Sequence, residues 1–250
     1  MKKRIAAIYD LHGNLPALEA VLEDIRHAGV ELLIVGGDIV PGPMPRETLE
    51  LLLDLEIPVE FIKGNGEADA LEAMAGGELA RVPEPYREIV RWSAGQLYPY
   101  YQKTLADWPE TLSLEVEPFG RVLFCHATPR DDNEIFTRLT PEKALISIFD
   151  EARADLIVCG HTHMQFDRLI GKTRVVNAGS LGMPFGPAGA NWLLLGPEVH
   201  LCRTTFDLNA AAELVRRTDY PEAEDFAAQS ILEPPDEKAM LDLFTNAGLK

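Results

Sequence analysis

Cysteine is scarce: three residues in 250, an odd number that offers no disulfide framework and fits a reducing, cytoplasmic setting. Long apolar runs are missing as well. A stretch such as Leu32 to Gly37 covers six residues, far short of the ~20 that a membrane span needs, so no membrane partner is expected. The start, Met1-Lys2-Lys3-Arg4, has the basic character of a signal peptide, but the apolar stretch after it ends at Asp10, too early for export. Positive charge is also in short supply, with 23 lysines and arginines against 40 aspartates and glutamates, a net charge of −17. Such a surface repels polyanions, which excludes duplex nucleic acid as a partner and disfavours a nuclease acting on polymers. What remains is ordinary globular composition, 46% hydrophobic and 25% charged, in a chain long enough to bury a core without a disulfide or structural metal.

Strand and helix patterns alternate in the first third. Ile5–Tyr9, Leu32–Val35 and Val59–Ile62 are short apolar strands. Between them lie a helix capped by Asn14 with Pro16 in its first turn, stopped by Gly29, and a second helix over Arg46–Leu55. This order implies right-handed crossovers and a parallel sheet, whose functional groups gather at the carboxyl ends of the strands. Residues 67–108 read as a helical insertion broken by prolines, too short for a core of its own. A hairpin follows over Thr111–Val116 and Arg121–Cys125, then a helix over Pro141–Ala152, a strand at Leu156–Cys159, a hairpin around Gly171-Lys172 and a strand at Trp192–Leu195. An acidic, helix-prone tail runs from Asp207 to the end. The whole reads as one domain over 1–250, with the insertion at 67–108 and the tail at 207–250 as additions.

The chemistry concentrates at five strand ends. Asp10-Leu11-His12-Gly13-Asn14 follows the first, Gly37-Asp38 the second and Gly64-Asn65-Gly66 the third. Cys125-His126 and Gly160-His161-Thr162-His163 follow two later strands, so four of the six histidines stand at these positions. Imidazole and carboxylate together suit manganese, iron, zinc or nickel rather than the all-oxygen shells of calcium and magnesium. A pair of divalent ions carries four positive charges, and Asp10 with Asp38 cancels two. The remainder matches one hydroxide and one singly charged phosphodiester.

The series Asp10-x-His12, Gly37-Asp38, Gly64-Asn65, His126 and Gly160-His161-x-His163 resembles the calcineurin-like metallophosphoesterase superfamily, in particular its small bacterial and archaeal phosphodiesterases. Residues 10–19, His126-Ala127-Thr128-Pro129-Arg130 and Asn177-Ala178-Gly179-Ser180-Leu181-Gly182 are similar to the same family, and the resemblance runs from residue 4 to about 206. It implies an α/β fold, a four-layer α/β/β/α sandwich of two mixed sheets with a helical insertion. It also implies a dimetal-dependent hydrolase of small phosphate esters, favouring phosphodiesters, in which a metal-bridging hydroxide attacks phosphorus. The cofactors it implies are two divalent transition-metal ions, manganese first, with iron, zinc or nickel as alternatives. By the same resemblance Asp10, His12 and His163 hold one metal, Asp38 bridges, and Asn65, His126 and His161 hold the other, with Asp38, Asn65 and His126 as catalytic residues. Asn14 and Arg130 are the candidate substrate contacts. The family's histidine after the motif asparagine is replaced by Gly66, which predicts a missing general acid and a preference for good leaving groups. Tyr9, where a small residue is usual, is expected to narrow the site. A catalytically silent scaffold on the same fold is the rival reading, and an oligomer is compatible with either.

Overall fold

Strand β1 (Ile5–Ile8) is buried along its whole length, and its side chains alternate between two cores. In the computed structural model, which describes residues 4–249, Ile5, Ala7 and Tyr9 face a second sheet, while Ala6 and Ile8 face helices. β1 pairs in parallel with β2 (Leu32–Val35), and β2 with β3 (Val59–Phe61). The crossovers are α1 (Leu15–His27) and α2 (Pro45–Leu53), which place Ala17, Leu18, Val21, Ile25, Leu49 and Leu52 on the outer face of the sheet. The second helix therefore starts one residue before the expected Arg46, since proline is favoured in a first turn, and ends before Leu55.

Three helices separate β3 from the second sheet: α3 (Asn65–Met74), α4 (Arg87–Gln96) and α5 (Tyr101–Asp107). Helix α3 begins two residues before the predicted insertion, because Gly64 is extended and Asn65 already opens the first turn. The second sheet contains β4 (Thr111–Val116), β5 (Gly120–Cys125), β6 (Leu156–Cys159), β7 (Phe166–Ile170) and β8 (Thr173–Asn177), in the order β4-β5-β6-β8-β7. Its outer face is covered by α6 (Glu142–Glu151), where Cys125 and Cys159 fill space among Leu145, Ile148 and Phe149. Burial pushes both thiols up, so they pack as small apolar groups. The chain then returns to the first sheet as β9 (Ala190–Leu195) and β10 (Val199–Thr204), giving the order β10-β9-β1-β2-β3.

Val122, Phe124, Val158 and Val176 of one sheet meet Ile5, Ala7, Tyr9 and Ile34 of the other. Helices cover both outer faces, so the fold is the expected four-layer sandwich of two mixed sheets with helices between β3 and β4. Tyr9 belongs to the inter-sheet layer: fully buried, it lies against Gly36 and donates its hydroxyl to the Val158 carbonyl at 3.1 Å. It does not narrow the site, because strand alternation turns it away from Asp10. The tail forms α7 (Leu208–Arg216), α8 (Ala223–Phe226), a π-helical stretch (Ala227–Leu232) and α9 (Glu237–Ala247). Ala211, Val215, Tyr220 and Phe226 of this tail pack with Met44 and Ile89, and Trp92 meets Tyr220 edge-on at 5.3 Å.

Candidate metal centre

Asp10 and His12 follow β1, Asp38 follows β2, Asn65 opens α3 after β3, His126 follows β5, and His161 and His163 follow β6. Both sheets thus deliver groups to one edge of the sandwich. Seven non-glycine residues among those described have positive φ, and five are Asp10, His12, Asp38, His161 and His163, with φ between 47° and 67°. That left-handed conformation is unfavourable for residues with a Cβ and clusters where function demands it. The turns are held by β-like bonds between neighbours, Asp10 N–H to Gly37 O at 3.1 Å and His12 N–H to Asp38 O at 2.9 Å.

Three of the four imidazoles, those of His12, His126 and His163, share one arrangement. His12 Nδ1 lies 3.1 Å from the Pro41 carbonyl, His126 Nδ1 2.8 Å from Gly36 O, and His163 Nδ1 2.7 Å from Met183 O. A carbonyl only accepts, so each Nδ1 carries a proton and each Nε2 is left to face the centre. His12 Nε2 and His163 Nε2 are 3.2 Å apart, with Asp10 Oδ1 3.7 Å from His163 Nε2. His126 Nε2 stands 3.1 Å from Asn65 Oδ1, 3.5 Å from Asp38 Oδ1 and 3.7 Å from Asp10 Oδ1. His161 meets His126 with ring centroids 5.2 Å apart, and its backbone N–H donates to Asp10 Oδ2 at 2.9 Å. Among the described residues, two groups have ligand atoms close enough to hold an ion: Asp10, His12 and His163, and Asp10, Asp38 and His126.

Burial raises the Asp10 carboxyl to about 8, with repulsion from Asp38 adding to it. Burial also lowers His12 and His163, and takes His161 down to about 4. His126 goes the other way: burial opposes its charge, but Asp38 and Asp10 pull it up to about 10. Asp38 is held below the usual carboxylate range, because the neighbouring histidines outweigh its burial. Paired nitrogen lone pairs beside two buried carboxylates are a poor arrangement on their own. A divalent cation held here would take the place of a proton on His126 and would draw the facing His12 and His163 nitrogens to one acceptor of their lone pairs. The donor set fits divalent metal ions: imidazole nitrogens with outward N–H groups fixed, plus carboxylates.

Glu67, which the sequence reading passed over, is fully buried beneath this centre. Its carboxylate accepts from Asp38 N–H (2.8 Å), Ile39 N–H (2.8 Å) and Gly64 N–H (2.9 Å), tying together the turns that carry Asp38 and Asn65. Burial raises it to about 7. The signal was its spacing, an acidic residue three positions after the helix-capping Gly64. Asn14 spends its side chain locally, accepting from Ala17 N–H at 3.3 Å and donating to Gly182 O at 2.9 Å. Arg130 lines a cleft of ≈ 220 Å³ beside His126, with Arg81, Thr128, Asp131 and Asp132, and its guanidinium is paired with Glu134. Gly66 donates its N–H to Asp38 Oδ1 at 2.7 Å, and a Cβ there would lie 1.9 Å from the Val40 carbonyl oxygen, so this backbone excludes the family's histidine. His27 closes α1 and His200 lies on β10, so neither enters the centre.

Fold and site together define a metallophosphoesterase scaffold. The chain belongs to the calcineurin-like phosphoesterase superfamily, whose domain matches residues 3–196. It is 28% identical over 243 residues to an uncharacterized protein, MJ0912, of Methanocaldococcus jannaschii, covering 89% of this chain and 96% of that one. Among solved structures it is similar to hypothetical protein PH1004 of Pyrococcus horikoshii OT3, with a TM-score of 0.77 at 18% identity over 93% of this chain and 99% of that one. A metallophosphoesterase of Sphaerobacter thermophilus superposes with a TM-score of 0.70 at 24% identity, over 92% of this chain and 100% of that one.

Proposed function

We propose that this protein is a dimetal-dependent hydrolase of small phosphate esters, with phosphodiesters as the favoured class. The observation that carries the reading is the convergence of His12, His126 and His163, each anchored through Nδ1 to a backbone carbonyl, around the buried carboxylates of Asp10 and Asp38. Asp10, His12 and His163 would hold one cation and Asn65, His126 and His161 the other, with Asp38 between them. Manganese is the first candidate, and iron, zinc and nickel suit the same donors. Such a pair, when bound, supplies Lewis acidity toward the phosphoryl oxygens and makes water nucleophilic near neutral pH.

The chain's own residues supply placement. Arg130 and Arg81 border the cleft beside His126 and can meet the ester's non-reacting oxygens. Asn14 acts at one remove, by holding the 178–183 loop to the end of β1. Glu67 adds a third carboxylate to the count. If it is ionised, two divalent cations leave one positive charge in surplus, and hydroxide with a singly charged diester brings the centre to a net −1. With Gly66 at the general-acid position, no side chain there can protonate a departing alkoxide, so esters with acidic leaving groups are favoured.

The test is manganese-dependent hydrolysis of bis-(nitrophenyl) phosphate by the full chain, beside Asp38→Asn. Activity in the parent that the variant lacks supports the reading. A protein that takes up manganese yet hydrolyses no ester in a mono- and diester screen would instead be a silent scaffold.

A further inference from the structure

Residues 197–249 lie beyond the stretch that matches the family, yet their last helix comes within one aromatic ring of His163. The Phe185 ring lies over His163, with centroids 5.4 Å apart and planes at 27°. Phe185 also meets Phe244 of α9, centroids 5.9 Å apart. Three polar ties keep α9 and the turn before it in place. Gly186 N–H donates to Pro235 O at 2.9 Å, Arg138 pairs with Glu237, and the hydroxyls of Thr137 and Thr245 are 2.8 Å apart. The loop that carries Phe185 also supplies Met183 O, the acceptor that fixes His163 Nδ1. One short loop therefore gives His163 both its hydrogen-bond anchor and its apolar cover.

The other half of the centre is held differently. His126 is anchored to Gly36 O, at the end of β2, and its cleft is lined from other segments. Among the described residues, none of α9 lines that cleft. Loosening α9 should thus be felt on one side only.

We propose that α9 is a clasp that seats the 183–186 loop on His163, with Phe185 and Phe244 as positioning residues that set cation retention by the Asp10, His12 and His163 group. This deepens the dimetal reading and rests on it. An imidazole whose outward N–H is fixed binds a cation without first having to be ordered, and loss of such outer support commonly costs about 10-fold or more in affinity. The ring stacked on the His163 face limits the imidazole's rotation about its anchor.

The experiment is a manganese titration of the full chain, with free ion read by electron paramagnetic resonance. The parent is expected to take up two ions. Phe244→Ala is expected to weaken one step by about 10-fold and leave the other unchanged, with Phe244→Leu recovering most of the loss. His163→Ala should remove the same step, and Phe244→Ala added to it should change nothing further. Should Phe244→Ala fail to fold by circular dichroism, Arg138→Met releases α9 without opening an apolar contact and is expected to weaken the same single step. A parental isotherm in the folded variant, or equal weakening of both steps, overturns the clasp. A parent that binds no manganese overturns the metal-centre reading itself, a result recognisable before any variant is made.

Discussion

At the scale of single residues, the centre is made by side chains whose backbone is unfavourable and whose surroundings hold it there. Asp10, Asp38 and three histidines occupy left-handed turns; the two carboxylates and the His12 ring are buried, and His161 and His163 are half-buried. Glu67 shows how one such turn is kept. Its two oxygens accept four backbone N–H groups from two different loops, those of Asp38, Ile39, Val40 and Gly64, which no neutral side chain of similar shape can do. In Glu67→Gln the amide NH2 would face a backbone N–H, leaving a buried donor without a partner. That costs about 1–3 kcal/mol and lets Asp38 drift. The expected outcome is a lower melting temperature together with a 10–100-fold weaker manganese affinity, read by thermal denaturation and metal titration on one sample. Parental values for both would show that Glu67 is only filler. The acidic residue could have been read from its spacing to Gly64, whereas the left-handed turns could not. Aspartate tolerates that conformation, but histidine carries no local signal for it.

At the scale of elements, the sequence was most informative where apolar runs are punctuated by glycine or proline. Leu32–Val35, Thr111–Val116 and Leu156–Cys159 form strands over the ranges their patterns predict, since each is short and bounded by residues that do not extend it. The hairpin around Gly171-Lys172 was legible for the same reason. The π-helical stretch at Ala227–Leu232 was not, because a widened turn depends on packing against α7 and not on residue type. Nor does a sequence show which charges an element half buries. Asp69 of α3 is such a charge: burial lifts its carboxyl from the ordinary 3.8 to about 6, against the pull of Arg81. The folded state therefore holds this proton more tightly than the unfolded chain. Stability from that proton is full below about 4 and is lost as pH rises through about 6. Asp69→Asn removes the titration and is expected to stabilise the protein by about 1 kcal/mol at pH 8, solvent screening having reduced the effect. Near pH 4 the two proteins should denature together. Urea denaturation at both pH values checks it, and an equal difference at both would show that the substitution acts through packing and not through the proton.

At the scale of the whole molecule, the centre sits across the seam of the sandwich. Asp10, His12, Asp38 and Asn65 come from the first sheet, while His126, His161 and His163 come from the second. That sheets would meet with these ends together was legible from the residues alone only as a family resemblance, because no spacing along the chain encodes contacts such as His12 to His163 or Asp10 to His126. The consequence is thermodynamic. Ions held between the sheets bind the folded chain and find no such site in the unfolded one, so they stabilise the fold as a unit. At 100 times its dissociation constant, one ion contributes about 2.7 kcal/mol, and for a chain of this size each kcal/mol moves the melting temperature by about 2–4 °C. Manganese is therefore expected to raise the midpoint of the chelator-treated protein by about 5–10 °C, with one cooperative transition in both states. In Asp38→Asn the shift should shrink to a fraction of that, since the carboxylate 3.9 Å from His12 Nε2 and 3.5 Å from His126 Nε2 is gone. Calorimetry with and without chelator decides it. A midpoint indifferent to manganese would mean that the seam holds without ions, and that the buried carboxylates and imidazoles serve the fold alone.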